Sequence, residues 1–153
     1  VQRLRADPAW TASDPYAWLV HGRRERNFST GTLLGARRMG LTPLLFHNAE
    51  TGAFVCVVHV GDRLCGHDGV LHGGVLATLC DEMTARAAMS RLTIAVTANL
   101  NINYRRMVTA NQFLVLSSTC TRVDGRKAWA EATIADEAGD TLVEATALFV
   151  APK

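Results

Sequence analysis

A glycine turn that runs directly into an apolar helix constrains this chain more than any other stretch. The turn is His72-Gly73-Gly74, and apolar spacing predicts a helix from Leu71 or Gly73 to about Met89. Glycines leave the first N–H groups of a helix accessible, and the helix dipole suits those groups to an anion or a polarised carbonyl oxygen. We therefore predict an oxyanion site where this helix begins.

The predicted helix also carries a carboxylate on a flank of small side chains. We expect Asp81 to be partly buried there and to take part in proton transfer, with a hydrogen-bonded structural role as the alternative. Glu82 precedes Arg86 by one helical turn, which favours an ion pair and a structural role. The opposite, bulky apolar stripe comprises Leu76, Leu79, Cys80, Met83 and Ala87, and the small flank comprises Ala77, Thr78, Thr84, Ala85 and Ala88.

The spacing of the glycine turn and the acid bears on the assembly. Gly73 and Asp81 are eight residues apart, which corresponds to about 12 Å along a helix axis. They do not easily serve one reaction centre within one chain. A two-fold dimer with antiparallel helices would bring the helix start of one subunit near the middle of its partner's helix, creating two composite sites. The small flank would permit that approach.

The remaining segments are typical of strands in an antiparallel sheet. The segment from Ala53 to Val60 is nearly continuously apolar. Residues Thr93 to Tyr104 alternate, which predicts a strand with a polar face that includes Thr97. The fold class is therefore α+β, an antiparallel sheet wrapped around one long central helix. Further strand candidates are Leu44 to Asn48, Phe113 to Arg122, Lys127 to Asp136 and Thr141 to Val150.

The first forty residues differ from the rest. We predict an N-terminal arm over residues 1–40, with a short helix from Pro15 to His21, and a main domain over residues 41–153. Trp10, Tyr16, Trp18 and Phe28 of the arm are expected to pack over the edge of the sheet or over a substrate tunnel.

Composition excludes several classes of function. A formal net charge of +2 is too small to indicate nucleic-acid binding. No apolar run has the length of a membrane helix, so we predict no membrane insertion. Four cysteines without a disulfide pattern favour a reducing, intracellular compartment, either the cytoplasm or the mitochondrial matrix. The cysteines and histidines lack the spacing of metal ligands, so we predict no metal.

Three motifs carry a resemblance to a known family. They are His72-Gly73-Gly74, an acid nine residues after that histidine at Asp81, and the strand over residues 95–104. Together they resemble the hotdog-fold acyl-CoA thioesterases, in the group with phenylacetate-pathway thioesterases, mammalian thioesterase superfamily members and fungal relatives. The resemblance covers about residues 53–152, and the extended motif over residues 66–74 looks most like the fungal members. It implies a hotdog fold and a homodimer, with a dimer of dimers as a further option.

The resemblance also implies an activity and roles for residues. The activity is hydrolysis of an acyl-CoA or another acyl thioester, with coenzyme A only as part of the substrate and no other cofactor. Asp81 would act as general base on water or as nucleophile, while the Gly73 N–H of the partner subunit polarises the carbonyl oxygen. Thr97 matches the position of a Ser or Thr that helps to hold the attacking water. His72 would position the loop or contact the substrate.

Two departures from the family pattern affect substrate binding. Many relatives carry Asn or Gln six residues before the motif histidine, where this chain has Gly66. His67 is a candidate replacement donor. The alternatives are that the loop uses only backbone groups, with Gly74 as a candidate for substrate binding, or that His67 is a surface histidine paired with Asp68. Relatives often place a proline after the basic residue at the end of the strand, where this chain has Arg105-Arg106-Met107. Either arginine is a candidate for a coenzyme A phosphate, or both are ordinary exposed arginines.

Two other functions stay open at this point. A hotdog dehydratase or hydratase would use His67 and Asp81 to move protons on a β-hydroxyacyl thioester. A catalytically silent acyl-binding module would keep the fold and the shape of the site without turnover. The intact glycine motif and Thr97 favour the thioesterase over the first of these.

Overall fold

One long helix packs against the inner face of an antiparallel sheet. The computed structural model describes residues 1–17, 19 and 22–153. The helices are α1 (Gln2–Ala6) and α2 (Gly73–Met89), and the strands are β1 (Trp10–Ser13), β2 (Leu44–Asn48), β3 (Phe54–Val60), β4 (Cys65–His67), β5 (Val70–Leu71), β6 (Val96–Tyr104), β7 (Gln112–Asp124), β8 (Lys127–Ala135) and β9 (Thr141–Val150). Over these residues the main sheet has the order β1-β2-β3-β7-β8-β9-β6, and β4 pairs separately with β5. A π-helical turn (Phe28–Leu33) and a 3-10 turn (Asp62–Leu64) complete the assigned elements.

Small side chains on β8 let the helix approach the sheet. Burial alternates along this strand, and its inward positions are fully or almost fully buried. Three of the four inward residues are alanines, which leaves room for the side chains of α2 between helix and sheet. The inward residues of β8 are Ala128, Ala130, Ala132 and Ile134.

The helix forms where the apolar spacing predicts it. All five residues of the predicted stripe are at most 6% exposed, so the core-facing side of α2 is confirmed. The small flank is narrower than predicted, because Thr84 and Ala88 are also completely buried. The Thr84 hydroxyl donates to the Cys80 carbonyl oxygen at 2.8 Å, which satisfies it inside the core. Asp81 remains half-buried on the other side.

Strand β6 lies at one end of the sheet. It begins at Val96, three residues later than predicted, and in the described part of the chain it pairs with β9 alone. The register shifts between Thr97 and Asn99, which makes Ala98 a β-bulge. Because a bulge reverses the alternation, Thr97 lies on the helix side of the strand. Its predicted place on the polar face is therefore wrong.

The N-terminal arm joins both the sheet and the helix. Strand β1 of the arm pairs with β2. The helix predicted from Pro15 to His21 is wrong where the chain is described, because residues 15–17 form turns in which the Asp14 carboxylate accepts the Tyr16 N–H. Trp18, Val20 and His21 lie outside the described residues. The domain boundary at residue 40 stays a prediction.

Polar contacts fasten the arm to α2. The Ser29 hydroxyl donates to Glu82 at 2.7 Å, and Arg86 donates to the Pro15 carbonyl oxygen at 2.9 Å. Glu82 and Arg86 form the expected pair one turn apart, at 3.9 Å. Of the aromatic residues predicted to pack, Tyr16 is buried, Trp10 is half-buried, Phe28 is 56% exposed, and Trp18 is outside the described residues.

Candidate active site

The first backbone N–H of α2 has no acceptor among the residues that the structure describes. His72 is the N-cap residue, and its Nδ1 accepts a hydrogen bond from the Gly74 N–H at 2.9 Å. The His72 carbonyl oxygen accepts the Val75 N–H. Among the residues that the structure describes, none accepts a hydrogen bond from the Gly73 N–H. The predicted oxyanion donor is therefore available, whereas the Gly74 N–H is occupied by His72.

Replacement of the cap should separate its structural contribution from any chemical one. We expect His72→Ala to lower the free energy of unfolding by about 1 kcal/mol, because the Gly74 N–H loses its acceptor. His72→Asn should stay within a few tenths of a kcal/mol of the native value, since Asn is a good cap. Chemical denaturation measures both. Equal stability of the Ala variant and the native protein would show that the cap does not stabilise the helix.

A groove opens beside the free donor. It has a volume of about 330 Å³ and is lined by Gly73 together with the end of β6 and the residues that follow it. Tyr104 forms part of its wall, and Met107 is 81% exposed at its edge. A groove of this size admits part of a ligand rather than a whole coenzyme thioester.

The structure brings together two of the predicted site residues, Asp81 and Thr97. Thr97 Oγ1 donates to Asp81 Oδ1 at 2.8 Å. This bond depends on the bulge at Ala98, which turns Thr97 toward the helix. No side chain or backbone N–H in the described residues donates to Asp81 Oδ2. One carboxylate oxygen is thus held in place and the other is available to accept a proton.

The acid and the backbone donor occupy separate positions within one chain. They lie eight residues apart on the same straight element, about 12 Å along its axis. Asp81 does not line the groove beside Gly73. One chain therefore presents two half-sites. Strand β6, whose second edge is unpaired within the described ranges, contacts both through Tyr104 and Thr97.

The predicted phosphate-binding arginines already have partners. Arg105 pairs with Glu144 and Arg106 with Asp140, each at 2.6 Å, and both pairs are solvent-exposed. Both arginines also line the groove beside Gly73. A phosphate would have to share them with these carboxylates, and the role of Arg105 and Arg106 stays a prediction.

The departure at Gly66 has a steric explanation. A Cβ at residue 66 would lie 3.0 Å from His72 Cδ2, so the histidine ring fills the space that a side chain there would enter. His67, the candidate replacement donor, is exposed at the end of β4. No hydrogen bond within the described residues joins His67 to the start of α2. Its role as a donor stays a prediction.

The buried cysteines are poorly suited to act as nucleophiles. Burial raises the pKa of Cys56 to about 12 and the pKa of Cys80 to about 12, so both remain thiols at neutral pH. No three His, Cys, Asp or Glu side chains in the described part of the chain are grouped so that they could hold a metal ion. The helices of the described residues are all too short or too polar to cross a membrane.

One contact at the site is absent from the sequence-based expectations. The Tyr104 hydroxyl donates to the Gly73 carbonyl oxygen at 2.9 Å. Sequence alternation places Tyr104 on the apolar face of β6, which is correct, but no spacing rule relates residue 104 to residue 73. Only the packing of β6 across α2 reveals the bond.

A long helix on an antiparallel sheet, with a glycine N–H at its start that has no acceptor within the described part of the chain and an acid at its middle, defines a hotdog-fold protein. Residues 68–143 match the family model of the thioesterase superfamily. The chain therefore belongs to the thioesterase superfamily. This confirms the family and the fold that the three motifs predict.

Known proteins similar to this chain include curated relatives and solved structures. The acyl-coenzyme A thioesterase THEM4 of Rattus norvegicus is 34% identical over 73% of this chain and 49% of its own length. The uncharacterized mitochondrial membrane protein FMP10 of Saccharomyces cerevisiae is 32% identical over 72% of this chain and 48% of its own length. A hypothetical thioesterase from Streptococcus pneumoniae, solved with coenzyme A, is 25% identical with a TM-score of 0.63, covering 67% of this chain and 81% of that one. The chain thus spans about half the length of these curated relatives.

Proposed function

We propose that this protein hydrolyses acyl-CoA thioesters to a free acid and a thiol. The observation that carries the proposal is the half-buried Asp81 of α2, which accepts a hydrogen bond from Thr97 of β6. The same helix begins with the Gly73 N–H, which has no acceptor among the described residues. The name of the THEM4 relative supports acyl-CoA as the substrate class. Thioester hydrolysis needs a carboxylate that activates water and a hydrogen-bond donor to the oxyanion.

The proposed reaction uses a water molecule beside Asp81. The carboxylate takes a proton from the water while the water oxygen bonds to the thioester carbonyl carbon. The Gly73 N–H donates to the oxyanion that forms on the carbonyl oxygen. The tetrahedral intermediate then collapses, the C–S bond breaks, and the thiolate leaves. Direct attack by Asp81 through a mixed anhydride is the second route. In a single turnover in ¹⁸O-labelled water, label in Asp81 and not in the product acid identifies an anhydride that water opens at the Asp81 carbon.

The proposed assembly is a homodimer in which each site is composite. Among the residues that the structure describes, strand β6 pairs along one edge only, and its side chains are mostly exposed. An exposed nine-residue edge strand is a template for pairing with another strand, so a second copy of β6 is the proposed partner. Each site would then combine Asp81 and Thr97 of one subunit with Gly73 of the other. A dimer of dimers is a further option for the assembly.

Substrate contacts follow from the groove beside Gly73. We place the coenzyme A phosphates near Arg105 and Arg106, which line this groove. His67 is the remaining candidate for a substrate contact, because a substrate would have to displace His72 Nδ1 to reach the Gly74 N–H. The name of the yeast relative FMP10, a mitochondrial membrane protein, favours the mitochondrion over the cytoplasm as the compartment.

A panel of acyl-CoAs tests the proposed function. We expect release of free thiol, detected with a thiol reagent, from at least one member of a series that varies in chain length and in aryl character. The same acyl groups on a carrier protein, run in parallel, would show whether coenzyme A is required. Absence of thiol release from every thioester contradicts the proposal, and water addition to an enoyl-CoA in its place would indicate hydratase chemistry.

A further inference from the structure

The peptide unit between Gly73 and Gly74 is held at both of its polar ends. Its carbonyl oxygen, on Gly73, accepts the Tyr104 hydroxyl at 2.9 Å. Its N–H, on Gly74, donates to His72 Nδ1 at 2.9 Å. A chain of hydrogen bonds therefore runs from Tyr104 through one peptide group to the imidazole of His72.

This arrangement compensates for the freedom of two successive glycines. Glycine loses more conformational entropy on ordering than any other residue, and two in succession at a helix start are prone to fray. Hydrogen bonds at both ends of the peptide restrict its rotation. The peptide that carries the free Gly73 N–H is the adjacent one, so its direction depends on this restraint.

The same bonds determine which tautomer the neutral imidazole of His72 adopts. An imidazole nitrogen that accepts a hydrogen bond carries no proton, so Nδ1 is bare and the proton of neutral His72 is on Nε2. Hydrogen bonds in series polarise one another, so the Tyr104 bond to the carbonyl oxygen strengthens the Gly74 N–H as a donor to Nδ1. Loss of the Tyr104 hydroxyl would weaken both contacts together.

Tyr104 is suited to donate at neutral pH. Partial burial, and secondarily the neighbouring Cys80, raise the pKa of the Tyr104 hydroxyl above its ordinary value, so it stays protonated. Its ring also lies against Gly73, where an added Cβ would be 3.5 Å from it. Tyr104 and Thr97 belong to the same strand, so β6 fixes both Gly73 and Asp81.

We propose that Tyr104 is a positioning residue that aligns the Gly73 oxyanion donor and holds His72 in its Nε2-protonated form by clamping the Gly73–Gly74 peptide. The inference rests on the proposed thioesterase function for its catalytic meaning, because the aligned group is the donor to the thioester carbonyl. The clamp itself is a property of the unliganded protein. It can therefore be measured apart from turnover.

The test compares Tyr104→Phe with Tyr16→Phe, which removes a tyrosine hydroxyl away from the site. We expect Tyr104→Phe to lower kcat about five- to tenfold, the effect of one lost hydrogen bond, with KM within about twofold of the native value. Tyr16→Phe should leave both constants near native. Both variants are compared at matched dimer content after denaturation has shown that they are folded.

A second readout does not depend on activity. Side-chain ¹⁵N spectra of His72 distinguish a bare, hydrogen-bonded Nδ1 from a mixture of tautomers. We expect a single Nε2-protonated tautomer in the native protein and in Tyr16→Phe, and a mixture in Tyr104→Phe. Unchanged kcat together with an unchanged His72 spectrum in Tyr104→Phe would overturn the inference. If the native protein releases no thiol, the proposed function fails, and the His72 spectra alone decide whether the clamp exists.

Discussion

Replacement of Asp81 with Asn is expected to lower kcat for acyl-CoA hydrolysis by about 10³-fold, a loss typical of removing a general base. The amide has nearly the same shape as the carboxylate, and its oxygen still accepts the Thr97 hydroxyl. The variant therefore keeps the hydrogen bond that positions residue 81 and loses only the ability to take a proton or attack a carbon. Thiol release under saturating substrate measures the effect.

The adjacent carboxylate provides a matched control for Asp81. Glu82 lies one residue further along α2, where it accepts the Ser29 hydroxyl and pairs with Arg86. Glu82→Gln keeps an acceptor for Ser29 and removes one negative charge from the same helix. We expect its kcat to stay within about twofold of native, since it is not a proton acceptor in the proposed reaction. Similar losses in both variants, or full activity of Asp81→Asn, would exclude Asp81 as the base.

Loss of the Gly73 N–H should have the second largest effect. Gly73→Pro removes this one donor while fitting the first position of a helix, where proline is favoured. We expect kcat to fall by about 10²- to 10³-fold, the range for loss of one oxyanion donor. Gly73→Ala is the control, because it keeps the N–H and its Cβ would lie at an ordinary contact distance of 3.5 Å from Tyr104. If the Ala variant is as inactive as the Pro variant, the donor is not the cause.

Asp81→Asn and Gly73→Pro together test whether each site combines residues of two subunits. Co-expressed Asp81→Asn and Gly73→Pro subunits form mixed dimers in which one site combines an intact Asp81 with an intact Gly73, and the other site contains both defects. With random pairing, half of the dimers are mixed, so we expect about one quarter of the native activity. Each variant alone stays inactive. No recovery in the mixture would show that Gly73 and Asp81 act within one chain.

Periodicity predicts the parts of the fold that follow one regular pattern. The helix and most of the strands appear within a few residues of their expected bounds, because apolar residues recur at the spacing of each element. The faces of β6 were predicted on the assumption of an unbroken ladder. The bulge at Ala98 breaks that ladder and moves Thr97 to the side of Asp81. No local signal in the sequence marks Ala98 as a bulge.

In the candidate site, too, residues that belong to one element are predictable from sequence, and contacts between elements are not. The motif positions Gly73 and Asp81 are assigned from sequence because both belong to one helix with a known rise. The Tyr104 contact joins residues 31 positions apart, and the Ser29 contact with Glu82 joins residues 53 positions apart. Such contacts depend on how whole elements cross. They are therefore visible only in the folded chain.

The alanines of β8 that face α2 limit which substitutions the sheet can accept. With Ala128, Ala130 and Ala132 facing the helix, a larger residue at any of these positions would displace α2 and with it both reacting groups. The N-terminal arm is attached to the same helix through two polar contacts at its outer side, from Ser29 to Glu82 and from Arg86 to Pro15. The size of these three alanines is therefore set by the placement of the reacting groups as well as by the packing of the core, whereas a substitution in the arm reaches those groups only through α2.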